Sequence, residues 1–117
     1  MAITLYGIPN CDTVKKARNY LDRRGVTHHF HDYKKAGVAA IDLERWAARV
    51  GWEQLLNKAG TTFKKLPDAD KIDVTREKAI KLMLEYPSMI KRPVVEYPGG
   101  LLVGFKEAEW QTKLSQR

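Results

Sequence analysis

A chain of 117 residues, 44% hydrophobic and 30% charged, has the size and composition of one folded domain, which excludes disordered, collagen-like and multidomain architectures. Its 21 Lys and Arg against 14 Asp and Glu leave a net charge of +7, a surface that attracts anions or simply keeps the chain soluble. No apolar run is long enough to span a bilayer, and the opening MAITLYGIPNC lacks the basic and apolar stretches of a secretory signal. The expected setting is the cytoplasm.

The elements follow in chain order. Ile3-Thr4-Leu5-Tyr6 alternates as a strand does, and Gly7-Ile8-Pro9-Asn10 breaks it. A helix follows, with Val14, Ala17 and Leu21 on one face and Arg23-Arg24-Gly25 as its stop. A second strand fits Thr27 to Asp32, ahead of a Lys34-Lys35-Ala36-Gly37 loop. Strand, helix and strand this close predict a right-handed parallel crossover.

Leu43, Trp46, Ala47 and Val50 predict a helix capped by Asp42 and stopped by Gly51. A short helix is expected over Trp52 to Leu56, then a polar break at Gly60-Thr61-Thr62. A longer helix runs from Thr75 to Tyr86, its stripe being Ala79, Leu82, Met83 and Tyr86 and its end Pro87. Val94 to Tyr97, the turn Pro98-Gly99-Gly100 and Leu101 to Val103 give a hairpin, and Glu107 to Leu114 closes the chain as a helix. The fold class is therefore α/β: one domain over residues 1–117, a mixed sheet in the order β-α-β … β-β-α, with a helical insert at about 38–87. That order is also the thioredoxin-like one.

The single cysteine, Cys11, rules out a disulfide framework and a CxxC zinc site. It falls at the start of the first helix, beyond the carboxyl end of the first strand, where ligands of open α/β sheets bind. An ordinary cysteine, with a pKa of about 8.5, is only about 3% ionised at pH 7. Making the thiolate the majority species requires about 2.7 kcal/mol, of which a helix start supplies about 1 kcal/mol and a nearby cation must supply the rest. The bland alternative is a small core hydrophobe. The polar neighbours Asn10, Asp12 and Thr13 favour a reactive thiol instead.

The redox CxxC pattern would need a second cysteine where Val14 stands, so any mixed species on Cys11 must be resolved by an external thiol such as glutathione or by a partner protein. Arg92-Pro93 precedes the Val94-Val95 strand, a usual place for a cis bond. In a thioredoxin-like fold this segment faces the first helix start. Arg92 is then either the missing cation and a bidentate anion ligand or a plain surface arginine. Asn10 and Thr13 are candidate anion contacts beside the thiol, Thr13 equally a helix cap.

His28, His29 and His31 split between two strand faces and supply no third ligand, so no metal site is expected. The pairs Lys15-Lys16, Lys34-Lys35 and Lys64-Lys65 come without a nucleic-acid-binding motif, which argues against nucleic acid. Gly99-Gly100 belongs to a turn and not to a nucleotide loop.

In the segments ITLYGIPNCDTVKKARNYL (3–21), HDYKKAG (31–37), GWEQLLNKAGTTFKKL (51–66) and MIKRPVVE (89–96) the chain resembles the ArsC-like arsenate reductase family, in its YffB branch, which is related to the Spx regulators. The resemblance implies a thioredoxin-like fold with an inserted helical segment, a nucleophilic Cys11 and a cis Arg92-Pro93 bond. It implies no bound cofactor, glutathione as co-substrate and glutaredoxin as a further partner. Of the three arginines that surround the oxyanion in such reductases, Arg92 alone has a counterpart here. Asn57 then Lys58, and Phe105 then Lys106, stand where the others are expected, so Lys58 and Lys106 become candidate point charges for the anion.

Two functions follow. One is a monothiol reductase acting on a small disulfide or oxyanion, with Cys11 as nucleophile and Arg92 and Pro93 shaping the site. The other is a Spx-like regulator that binds RNA polymerase without turnover.

Overall fold

The computed structural model describes residues 3–114. It divides into two compact units, one formed by the chain up to Tyr33 and from Arg92 onward, the other by residues 34–91.

The first unit holds the sheet. Strands β1 (Thr4–Gly7), β2 (His29–Asp32), β3 (Val94–Tyr97) and β4 (Gly100–Val103) lie in the order β2-β1-β3-β4. β1 runs parallel to β2 and antiparallel to β3, and β3 pairs antiparallel with β4, which makes the sheet mixed as expected. The register aligns Leu5 with Val95 and Val95 with Leu102, so strand alternation puts these three side chains in one row on one face. Helix α1 (Asp12–Arg23) adds Val14, Ala17 and Leu21, and helix α8 (Glu107–Leu114) adds Trp110 and Leu114, to form one buried cluster. Each Val or Leu side chain of this cluster contributes about 1.5–3 kcal/mol by leaving water. The Trp110 indole N–H donates to the Gly104 carbonyl at 3.1 Å, which ties α8 to the end of the hairpin.

The second unit is helical. It contains most of a single turn α2 (Tyr33–Ala36), then α3 (Ala40–Val50), α4 (Trp52–Leu55), α5 (Thr61–Lys64), α6 (Asp68–Lys71), α7 (Arg76–Glu85) and a 3-10 turn Pro87–Met89. Leu43, Trp46, Leu55, Phe63, Ala79, Met83 and Met89 are buried. The segment after α4 pairs with the end of the unit: the Asn57 amide donates to the Met89 carbonyl and the Lys91 amide to that of Leu55, both at 2.7 Å.

Four local readings are corrected. Lys34 to Ala36 continues the α2 turn instead of forming a loop, and Gly37 ends it with φ of +77°. Asp42 is not the cap of α3; Ala39 holds that position, and Asp42, in the first turn, pairs with Arg45 at 2.9 Å. Thr61 and Thr62 begin α5, with Gly60 as its cap. Tyr86 leaves the helical path at φ −128° and is exposed, so the α7 stripe stops at Met83.

Candidate functional site

The site grows from the turn between β1 and α1. A Cβ on Gly7 would meet the Val14 side chain at 2.9 Å, so only glycine lets the end of β1 approach the first turn of α1 this closely. The chain then reaches Cys11 in extended conformation (φ −137°, ψ 124°), the geometry of an N-cap residue. The Cys11 carbonyl accepts from the Lys15 amide at 2.9 Å, while no side chain caps the helix. The amides of Asp12, Thr13 and Val14 therefore lack an intrahelical partner and add to the positive end of the helix macrodipole. Cys11 itself is a half-buried free thiol packed on the edge of the core. Its neighbours Asn10 and Thr13 are exposed.

A second group approaches from β2. The register places Asp32 opposite Gly7, so the next residue, Tyr33, stands at the same end of the sheet as the β1–α1 turn. Tyr33 is fully buried, at 0% exposure. The Arg92 guanidinium donates a hydrogen bond to its phenolic oxygen. Burial pushes the Tyr33 hydroxyl above the ordinary phenol range; the Arg92 charge and hydrogen bond oppose this, and the nearby Cys11 sulfur adds to it. The phenol thus remains protonated throughout the physiological range.

The strand β3 brings Arg92 to the same end of the sheet: its register sets Val94 opposite Tyr6, and Arg92 stands two residues earlier. It is half-buried, its peptide bond to the buried Pro93 is cis, and the Pro93 carbonyl accepts from the Gly104 amide at 2.8 Å before β3 begins. The first unit so gathers a thiol at an uncapped helix start, a guanidinium and a buried phenol. An arrangement of this kind suits a sulfur nucleophile and a small anionic electrophile.

The remaining candidates are placed as follows. Lys106 is exposed just before α8, its carbonyl accepting from the Trp110 amide at 3.0 Å. Lys58 belongs to the second unit, where its ammonium lies 5.6 Å from the Trp52 ring centroid. His31 packs against the Tyr6 ring at 4.9 Å, Tyr6 donates to Glu96 at 2.8 Å, and His28 sits 3.0 Å from the Val26 carbonyl. Among the described residues no three His, Cys, Asp or Glu side chains cluster as metal ligands, and no helix is long and apolar enough to cross a membrane.

Sequence reasoning missed Tyr33. It lies within HDYKKAG, in a stretch read as strand end and loop, and its one signal was a large aromatic between Asp32 and Lys34 where a solvated loop would carry none.

Comparison with known proteins adds the following. The model of the ArsC family matches residues 6–113. A solved structure of the YffB (PA3664) protein is 54% identical, covering 96% of this chain and 98% of that one, with a TM-score of 0.93. That of an arsenate reductase (ArsC) related protein from Brucella melitensis is 53% identical, covering 97% and 95%, with a TM-score of 0.78. An uncharacterized protein of Haemophilus influenzae is 39% identical over 93% of this chain and 96% of its own length. The global transcriptional regulator Spx of Streptococcus mutans is 27% identical over 92% of this chain and 79% of its own.

Proposed function

The chain belongs to the ArsC family, and from that premise we propose that it is a thiol-dependent reductase in which Cys11 is the single nucleophile and glutathione the electron donor. The observation that carries this reading is Cys11 in the N-cap position of a helix that no side chain caps, in a chain with no other cysteine. The electrophile is a small disulfide or an arsenate-type oxyanion.

With a disulfide, the Cys11 thiolate forms a bond to one sulfur as the S–S bond breaks, and the displaced thiolate takes a proton from water. A glutathione thiolate then attacks the Cys11 sulfur, expels the second substrate thiolate and leaves a Cys11–glutathione disulfide. A second glutathione, or glutaredoxin, releases Cys11. In sum the substrate gains two electrons and two protons, and two glutathiones become one glutathione disulfide. An oxyanion enters the same cycle by exchanging one oxygen, lost as water, for the Cys11 sulfur. When glutathione attacks that sulfur, the bonding pair stays on arsenic as the two-electron reduction.

In this reading the first-turn amides and Arg92 hold the negative charge of the substrate, Asn10, Thr13 and Lys106 line its approach, and Pro93 shapes the groove. Lys58, in the second unit, adds to the positive charge that attracts anions. A coupled assay with glutathione, comparing arsenate with small disulfides, tests the proposal. Wild type should turn over one of them, and Cys11→Ser should lose at least about a thousandfold of that rate. Equal rates for the two proteins would remove it.

The similarity to Spx supports a second reading, a regulator that docks on RNA polymerase. The position of the missing second cysteine is occupied by Val14, which is fully buried in the core, and this favours the enzyme. Specific capture of the polymerase in a pull-down by the purified chain, together with absent turnover, would reverse that preference.

A further inference from the structure

Tyr33 has no place in the reaction just written, yet it is a fully buried polar side chain joined to Arg92. Its position is fixed at both ends. The pairing of β2 with β1 sets its backbone at the mouth of the sheet, and burial of the ring leaves the hydroxyl nowhere to swing. Arg92, by contrast, carries a long side chain with several rotatable bonds, and an unrestrained guanidinium spreads its charge over many positions. A guanidinium has no acceptor atoms, so the phenolic oxygen can meet it only by accepting.

We propose that Tyr33 is the positioning residue of the site: by accepting from Arg92 it aims the guanidinium at the Cys11 sulfur and so makes the thiol select anionic electrophiles over neutral ones. The inference deepens the reductase reading and rests on Cys11 being its nucleophile. Because the buried phenol keeps its proton, its oxygen meets Arg92 as a neutral acceptor.

The test needs no turnover. Cys11 of the intact protein is alkylated at pH 7 and low salt with iodoacetate, which is anionic, and with iodoacetamide, which is neutral and nearly the same size. The readout is the ratio of the two rates. Tyr33→Phe keeps the ring volume and removes only the hydroxyl; it should lower the ratio about three- to tenfold, the range expected for one lost hydrogen bond. Arg92→Ala should lower it at least as far, and Tyr33→Phe in the Arg92→Ala background should lower it no further. An unchanged ratio in Tyr33→Phe, or additive losses in the double variant, would overturn the inference.

Nuclear magnetic resonance of wild type gives a check independent of any variant. Arg92 should show resolved, slowly exchanging guanidinium N–H signals, and a single averaged signal would overturn the inference as well. The two proposals fail separately: a protein without glutathione-dependent turnover can still show the ratio effect, and a reductase lost in Cys11→Ser can show none.

Discussion

The two units use their positive charges in different ways. In the second, lysines close the ends of short helices: Lys78 donates to the carbonyls of Ala69 and Ile72 at 2.9 and 3.0 Å, and Lys71 to that of Lys64 at 3.0 Å. Arg76 pairs with Glu44 at 2.6 Å, and Lys58 rests over Trp52. In the first, Arg92 donates to a buried phenol beside a thiol, at the sheet end where ligands of this architecture bind. The same residue types thus terminate backbone in one region and meet a buried phenol beside a thiol in the other. A net charge of +7 cannot distinguish these tasks; the partner of each cation can.

Among the cations, Arg92 should show the largest effect when its charge is removed. Arg92→Ala is expected to cut glutathione-dependent turnover about a hundredfold, the scale for losing one donor to a developing negative charge. The thermal midpoint, measured by circular dichroism, should move far less than the rate. A loss of stability that accounts for the lost rate would place Arg92 with the structural cations and break the comparison.

The next effect is a pH dependence with a defined sign. Tyr33 is held above the ordinary phenol value of 10.0 by burial, while in the unfolded chain it ionises near that value. Below pH 10 both states keep the proton and the full contribution is present. Above it the unfolded state binds fewer protons, so stability falls by about 1.4 kcal/mol per pH unit until the folded phenol also ionises. Urea unfolding at pH 9 and pH 11 should therefore show a steeper loss for wild type than for Tyr33→Phe. Equal losses would mean that Tyr33 ionises as readily folded as unfolded, against its burial.

The same contrast explains what the sequence disclosed. The face Val14, Ala17, Leu21 repeats over a 12-residue helix, long enough for its period to declare itself, and all three side chains are buried. The Pro98-Gly99-Gly100 turn announced the hairpin because its glycines permit conformations that other residues resist; Gly99 has φ of +91°. Cys11 and the cis Arg92-Pro93 bond were legible from local context and family resemblance.

Tyr33 was hidden because one helical turn shows no period and because its partners, Cys11 and Arg92, come from the start of α1 and from the far end of the chain. The short helices α5 and α6 escaped for the first of these reasons. Asp42 has the residue type of a cap, yet it sits in the first turn and pairs i, i+3 with Arg45. Residue type indicates what a side chain is able to do; only the pairing of distant segments decides which of its abilities is used.

The smallest expected effect separates field from geometry. Lys78→Met removes one positive charge, as Arg92→Ala does, but keeps the aliphatic stem and takes the cation from the second unit. The loss of its bonds to the Ala69 and Ile72 carbonyls should cost about 0.5–1 kcal/mol, at the low end for hydrogen bonds because water can reach those exposed oxygens. The iodoacetate to iodoacetamide ratio at Cys11 should stay at its wild-type value, since the Lys78 ammonium is held by carbonyls of its own unit and has no partner beside the thiol among the bonds it makes there. If Lys78→Met lowered that ratio as far as Arg92→Ala, the preference for anions would belong to the overall charge of the chain, and the guanidinium held by Tyr33 would lose its special standing.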